Sequence, residues 1–346
     1  MKFKIKKAAK LEKKDYLKFF GVVGIIVVVF VVIGLVGNHF NIDEKEVEIQ
    51  TSKGTLKGTL VLPKDKKEDL GLVVFVHGDG PLNADSNGTY KPLWERLAQK
   101  GYASLSWNKP GVKKAEGNWQ EQSMEDRAKE AVEAINWARE LPEIDKDRIG
   151  IIGTSQAGWV LPKISKMDKD IAFNILAAPS VNWLEDGKYS TAQKLKKKKA
   201  SKSEIEKGVK EYEDAAALFG ENSTYKEYKK AVGKERALPE KRWTFIMTNY
   251  KEDVKDELKY YYSPVKLIVG DLDTSVDSKN TIKVYKEGVD SKLLDSTLLK
   301  GTDHYMINPG LVKSEIKTSF VATLLPKNLL DKNYYEAIEK FLDSIK

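Results

Sequence analysis

Hydrophobic positions along this chain fall into three regimes. From Phe19 to Ile42 there is no Asp, Glu, Lys or Arg, and the stretch FFGVVGIIVVVFVVIGLVG is apolar on every side. A run of that length matches a bilayer core, whereas a secretory signal carries a shorter apolar region, about 7 to 15 residues, and a small-residue cleavage site. No such site stands clearly after Val36, so residues 19–40 read as an uncleaved membrane anchor. In the second regime EVEIQ (Glu46–Gln50) alternates and TLKGTLVL (Thr55–Leu62) follows it, an antiparallel start that ends at Pro63. Then LGLVVFV and GYASLSW give continuous apolar runs, the pattern of strands buried on both faces, with the helically spaced YKPLWERLAQK between them. SMEDRAKEAVEAINWAREL reads as an amphipathic helix with Ser123 as N-cap, Asp126 three residues on and Pro142 as its stop. Strand RIGIIG, helix AGWVLPKISKM and strand IAFNILAA come next. This alternation predicts an α/β domain with a largely parallel sheet and helices on both faces.

The third regime begins after Pro179, where the alternation stops for about eighty residues and resumes at SPVKLIVG from Ser263. The interruption is rich in Lys and Glu and helical in spacing, so 180–262 reads as an insertion into a core formed by 41–179 and 263–346. Strand VKLIVG, a helix from about Ser278 to Gly288, strand LLDSTLL and a terminal helix NYYEAIEKFLDSI complete that core.

Charge changes the picture mainly at the N-terminus. Residues 1–18 hold eight lysines and two acids, which supply +6 of the formal +8, so the folded part is close to neutral. Positive flanks stay on the cytoplasmic side of a membrane helix. The tail is therefore expected in the cytoplasm and the domain outside, in a single-pass protein of the cell membrane. With the charge assigned to the tail, the basic balance gives no support to a nucleic-acid partner. The absence of cysteine excludes disulfides, thiolate metal sites, a catalytic thiol and a cysteine-linked lipid anchor. The run KLKKKKASK (Lys194–Lys202) reads as a solvated helix face.

Candidate chemistry centres on GTSQAG, where Ser155 stands at a strand-to-helix corner between Gly153 and Ala157. A corner strained enough to project one side chain needs small neighbours. A capping serine would fit the same place, so partners must decide. A serine hydroxyl needs a base, most often histidine. Of the three histidines, His39 lies at the membrane edge and His77 in an early turn. His304, after the last core strand, is placed to emerge at the same sheet edge as Ser155. The base needs a carboxylate, and Asp271, Asp273 and Asp277 in VGDLDTSVD compete for that role. A calcium loop is disfavoured there, because the acids lack an alternating ligand series and a bidentate Glu. HGDGP after the strand LVVFV can present backbone N–H groups to an oxyanion, which makes the N–H of Asp79 and that of Gln156 the expected donors.

Together these placements, in the order Ser155, Asp273, His304, resemble the α/β-hydrolase superfamily over about Glu46 to Lys346. GTSQAG is similar to its nucleophile elbow and VHGDGP to its oxyanion loop. In that family the acid sits in a Gly-x-x-Asp-x-x-Val pattern, matched by Gly270, Asp273 and Val276, and the base in an Asp-His pair, matched by Asp303 and His304. The resemblance thus selects Asp273. Ala157 departs from the usual glycine, and Asn108 from a common aspartate in a loop that shapes the site. Gln156 after the serine and the insertion before the acid strand resemble bacterial carboxylesterases, including feruloyl-type esterases, and serine aminopeptidase-like members. The resemblance implies a helical cap over the site and hydrolysis of a small-molecule ester through an acyl-enzyme, with no metal or cofactor. An amide or peptide hydrolase and an acyltransferase would use the same residues, and a binding protein on an inactive scaffold is the alternative of another class.

Overall fold

The computed structural model describes residues 13–65, 68–220 and 224–345. Of the expected basic tail, residues 1–12 lie outside the described residues. Helix α1 (Lys13–Gly37) contains the window Phe19–Gly37, long and apolar enough to cross a bilayer and not buried against the rest of the chain. Strands β1 (Ile42–Thr51) and β2 (Gly54–Pro63) pair as an antiparallel hairpin. Next come β3 (Leu70–Val76), α2 (Lys91–Gln99), β4 (Tyr102–Trp107), α3 (Met124–Arg139), β5 (Ile144–Thr154), α4 (Leu161–Met167) and β6 (Phe173–Ala177). Four helices follow: α5 (Trp183–Lys197), α6 (Lys202–Gly220), α7 (Tyr225–Val232) and α8 (Glu240–Asn249). The chain then returns through β7 (Val265–Gly270), α9 (Ser278–Gly288), β8 (Leu294–Leu299), α10 (Glu315–Leu324) and α11 (Lys332–Ser344).

The sheet order is β1-β2-β4-β3-β5-β6-β7-β8, with β1, β2 and β4 joined antiparallel and every later neighbour parallel. β3 is apolar at every position because it is covered on both sides. Leu72, Val74 and Val76 enter one core with residues of α3, α4 and α9; Val73 and Phe75 enter the other with α2 and α11. Period-two alternation thus sorts a continuous apolar strand into two cores. Helix α3 starts as expected: the Ser123 hydroxyl accepts the Asp126 N–H at 3.0 Å, and the Asp126 carboxylate accepts the Ser123 N–H at 3.0 Å.

Two local readings differ from the sequence expectation. AGWVLPKISKM is not one helix, because a 3-10 turn over Ser155–Trp159 precedes α4, whose first turn carries Pro162. Proline cannot donate the N–H that a continuous helix would need there. Helix α10 was not anticipated at all. The aromatics of the stretch between β6 and β7 pack largely on one another: Trp183 lies against Phe245 at 6.0 Å and Trp243 approaches Tyr225 at 5.6 Å, while Trp183 also stacks on Trp159 of the core at 4.8 Å.

Candidate active site

Ser155 leaves the end of β5 at φ +52°, a left-handed conformation that costs a side-chain-bearing residue energy unless its surroundings enforce it. They do so by crowding. A Cβ on Gly153 would lie 2.6 Å from both Ala157 Cβ and Leu161 Cδ1, and one on Gly158 would lie 2.5 Å from the Ser180 carbonyl oxygen. Ser180 N–H in turn donates to the Ser155 carbonyl at 2.9 Å. The alanine at 157 is therefore compatible with the corner only because position 153 has no side chain.

The loops after β7 and β8 bring the other two residues to the same edge. His304 Nε2 is 2.9 Å from Ser155 Oγ, and Nδ1 is 2.7 Å from Asp273 Oδ2. An ionised carboxylate only accepts, so the Nδ1 proton lies toward Asp273 and Nε2 is left to accept from the serine hydroxyl. The second oxygen of Asp273 accepts the N–H groups of Ser275 at 2.7 Å and Val276 at 2.9 Å, which fixes the carboxylate's rotation. Gly270 has a packing reason: a Cβ there would sit 2.2 Å from the Thr302 carbonyl oxygen of the histidine loop. Thr302 is braced from behind by a 2.7 Å hydrogen bond to the buried Asp331. Asp271, one of the competing acids, accepts the Gly301 N–H, and Asp277 caps α9.

The turn His77-Gly78-Asp79 follows β3 beside Ser155; a Cβ on Gly78 would be 3.5 Å from Ser155 Cβ. Buried cations grip its carbonyls. Arg127 donates to the His77 carbonyl, and Lys109 Nζ to that of Gly78. The peptide between Gly78 and Asp79 is trans, so turning its carbonyl to Lys109 turns the Asp79 N–H away from it. Arg127 also donates to Gln156 Oε1 at 2.8 Å, joining this turn to the residue after the serine. Burial, reinforced by Arg127, holds the Lys109 ammonium well below its usual pKa, and burial lowers Arg127 to about 10. His77 is a structural residue. Its Nε2 donates to the Trp107 carbonyl at 2.6 Å, leaving Nδ1 for the Tyr90 hydroxyl at 3.1 Å, and burial drives its pKa down to about 3. Asn108 anchors the following loop by accepting the Ala84 N–H at 2.9 Å.

Residues outside the expected set also reach the site, all but Arg127 and Lys109 from the β6–β7 helices. Tyr189 donates to the Asp273 carbonyl at 2.9 Å, and Arg242 clamps the Asp79 carboxylate through two contacts of 2.9 and 2.7 Å. Burial tends to raise the Asp79 pKa, but the Arg242 hydrogen bonds and charge outweigh it and leave it lowered. Asp186 accepts the Val181 N–H at 3.0 Å; burial pushes its pKa up to about 7, and the nearby Asp273 charge adds to the rise. Only Arg127 had a sequence signal, a charge on the apolar stripe of α3 shared with Met124, Ala128 and Ala131.

Ser155 and His304 open onto a cavity of about 370 Å³. Its walls are mostly apolar, with Phe75, Leu93, Ile152, Met306 and Leu330 among them, and Asp79 is the one acidic residue lining it among the described residues. None of the described residues of 180–262 lines it. Among the described residues no cluster of His, Asp and Glu is arranged to hold a metal.

Residues 54–306 match the family model described as X-Pro dipeptidyl-peptidase (S15 family). The chain belongs to the S15 family. The matched span runs from β2 to the loop of His304 and so contains all five residues expected at the site. S15 membership makes the chain a serine-type hydrolase of the α/β-hydrolase fold. Solved structures agree on that fold. An esterase of Pyrococcus furiosus, Pf2001, is similar at a TM-score of 0.54 and 17% identity, covering 87% of this chain and 90% of that one. Est1E from Butyrivibrio proteoclasticus matches at 0.52 and 16%, covering 85% and 99%. The hydrolase GrgF from Penicillium sp. sh18 matches at 0.53 and 16%, covering 82% and 98%. Comparison with curated protein sequences gives no match.

Proposed function

We propose that the protein is a membrane-anchored serine hydrolase that cleaves a carboxylic ester of an apolar acyl group through an acyl-enzyme. Ser155 Oγ attacks the ester carbonyl as its proton passes to His304 Nε2, and Asp273 stabilises the imidazolium that forms. The N–H groups of Asp79 and Gln156 hold the oxyanion. Collapse of the tetrahedral intermediate expels the alcohol, which takes the proton from His304. Water then repeats the sequence on the acyl-enzyme and releases the acid. Residues 180–262 act as a cap, a role supported by the contacts of Tyr189 and Arg242 with the acid loop and the turn after β3. Residues 19–40 anchor the chain, with the lysine-rich tail in the cytoplasm and the catalytic domain outside.

The observation that carries the ester reading is the pairing of the relay with an apolar cavity whose acidic lining residue, Asp79, is already neutralised by Arg242. The family's name favours a second reading, a peptidase of X-Pro substrates. Such a substrate brings a cationic N-terminus, and Asp79 clamped by Arg242 offers it no free carboxylate. The test uses the full chain in detergent micelles or nanodiscs, with p-nitrophenyl acyl esters against an X-Pro p-nitroanilide. Ester turnover with an acyl-enzyme burst, lost in Ser155→Ala, is expected. Preferential cleavage of the anilide would replace the ester reading by the peptidase one, and retention of turnover in Ser155→Ala would remove the serine mechanism.

A further inference from the structure

Helix α10 buries none of its residues; Ile316 is 85% and Phe320 45% exposed. What it touches is α1. The Phe320 ring meets Phe30 edge-on with centroids 5.9 Å apart, and Asn38 Nδ2 donates to the Thr323 carbonyl at 2.9 Å. Leu324 occupies the space that two glycines of α1 leave open: a Cβ on Gly34 would be 3.2 Å from its Cδ2, and one on Gly37 2.0 Å from its carbonyl oxygen. Taken in order, Phe320 to Leu324 climb beside Phe30 to Asn38, so the two helices run in the same direction.

That direction sets a depth. Eight residues separate Phe30 from Asn38, about 12 Å of helix at about 1.5 Å per residue. If Phe19–Gly37 spans the bilayer, the anchoring reading on which this inference rests, a side chain beside Phe30 lies within the outer half of an apolar layer about 30 Å thick. We infer that α10 is a second membrane element, sunk into the acyl chains of the outer leaflet at Ile316 and Phe320. Glu315 and Lys317 stand at the deeper end of the same helix, so this seating requires the leaflet to thin around α10 until their charges meet water or headgroups. The polar junction follows immediately: Lys327 pairs with Glu95 at 2.7 Å and covers the Phe40 ring at 5.0 Å. Two residues further on, Leu329 and Leu330 line the cavity beside Ser155. Seating α10 in the leaflet therefore holds one wall of the cavity close to the bilayer surface.

The chain has no cysteine, so single cysteines can report depth without background. Ile316→Cys and Phe320→Cys would be labelled with an environment-sensitive fluorophore in the full chain, reconstituted in phosphatidylcholine–phosphatidylglycerol vesicles. Val27→Cys in α1 and Lys202→Cys in α6 serve as references. Labels at 316, 320 and 27 should be quenched by doxyl groups on the lipid chains several-fold more than the label at 202, and shielded from aqueous iodide. Quenching at 27 with iodide access at 316 and 320 would overturn the inference and leave the anchor intact. Loss of lipid quenching at 27 as well would overturn the anchor reading, and the inference with it. Ile316 buries nothing, so its variant remains informative if Phe320→Cys fails to fold.

Discussion

Replacing Asp273 by asparagine separates the orienting role of the carboxylate from its volume. The Asp273 oxygen that accepts the Ser275 and Val276 N–H groups at 2.7 and 2.9 Å must remain an oxygen, so the new NH2 is forced toward His304 Nδ1, 2.7 Å away. A donor facing that nitrogen moves the ring proton to Nε2. Nε2 then presents a hydrogen to Ser155 Oγ at 2.9 Å and cannot take the serine proton. The Asp273 side chain is 0% exposed, so water has no route to restore the tautomer. Loss of a correctly protonated base in such a triad costs about 10³- to 10⁴-fold in kcat, which corresponds to about 4–5.5 kcal/mol at about 1.36 kcal/mol per decade. Ester hydrolysis by the full chain in nanodiscs gives kcat and KM, and thermal melting reports folding. A large fall in kcat at little-changed KM is expected. A folded variant that kept more than a tenth of wild-type kcat would refute the assignment, because the geometry leaves the asparagine variant no competent base.

Gly153→Ala should destabilise by about 1–3 kcal/mol, since its Cβ would stand 2.6 Å from both Ala157 Cβ and Leu161 Cδ1. Adding Ala157→Gly should restore part of the melting temperature; an unchanged melt in the single variant would mean the corner is not tight. Asp186 should make stability fall as pH rises. Its folded pKa of about 7 lies above the reference 3.8, so the folded state holds the extra proton between those values, and stability drops through about pH 4 to 7 and stays low above. The drop is at most about 4 kcal/mol, and smaller because the group is only half-buried. Asp186→Asn should match wild type near pH 4 and melt higher at pH 8; parallel pH profiles would exclude the effect. Arg242→Ala frees the Asp79 carboxylate in the cavity, and the ratio of kcat/KM for X-Pro anilides to that for neutral esters should rise about tenfold, worth about 1.4 kcal/mol. An unchanged ratio would show that Asp79 does not read substrate charge.

How much was legible follows from which interactions are local. The strands LGLVVFV and VKLIVG were readable because burial on both faces leaves an unbroken apolar run, and the α3 start because a capping box is written in four consecutive residues. That the loops of Ser155, His304 and the Asp271–Asp277 acids would meet was readable because each follows a core strand and parallel strands deliver their C-terminal ends to one edge. Strand placement alone left the three aspartates open, and only the family resemblance singled out Asp273, the one that meets His304. Helix α10 was not, since its apolar residues answer α1 rather than the core and give no stripe facing the sheet. Arg242 and Asp186 were hidden for a related reason. They lie in a Lys- and Glu-rich stretch where one charge looks like another until packing carries two of them to the site.

The turn after β3 shows why those distant charges matter to the proposed chemistry. An oxyanion hole works by having its donors fixed before the charge develops, and a glycine-rich turn fixes nothing by itself. Here the carbonyls of His77 and Gly78 are held by Arg127 and Lys109, and the Asp79 side chain by Arg242, so three elements of the chain converge on three consecutive residues. Burying like charges together is costly unless acids offset them, and Asp79 and Glu130 are the acids at hand. Lys109 needs no charge for its part, because a neutral amine still donates to the Gly78 carbonyl. Arg127, with a pKa of about 10, keeps its charge at neutral pH and uses it twice, on the His77 carbonyl and on Gln156. One guanidinium therefore couples the segments that carry the two proposed oxyanion donors, and Arg242 extends that coupling to α8. The β6–β7 helices therefore touch both halves of the site, the turn after β3 through Arg242 and the acid loop through Tyr189, and a displacement of those helices would be felt at both.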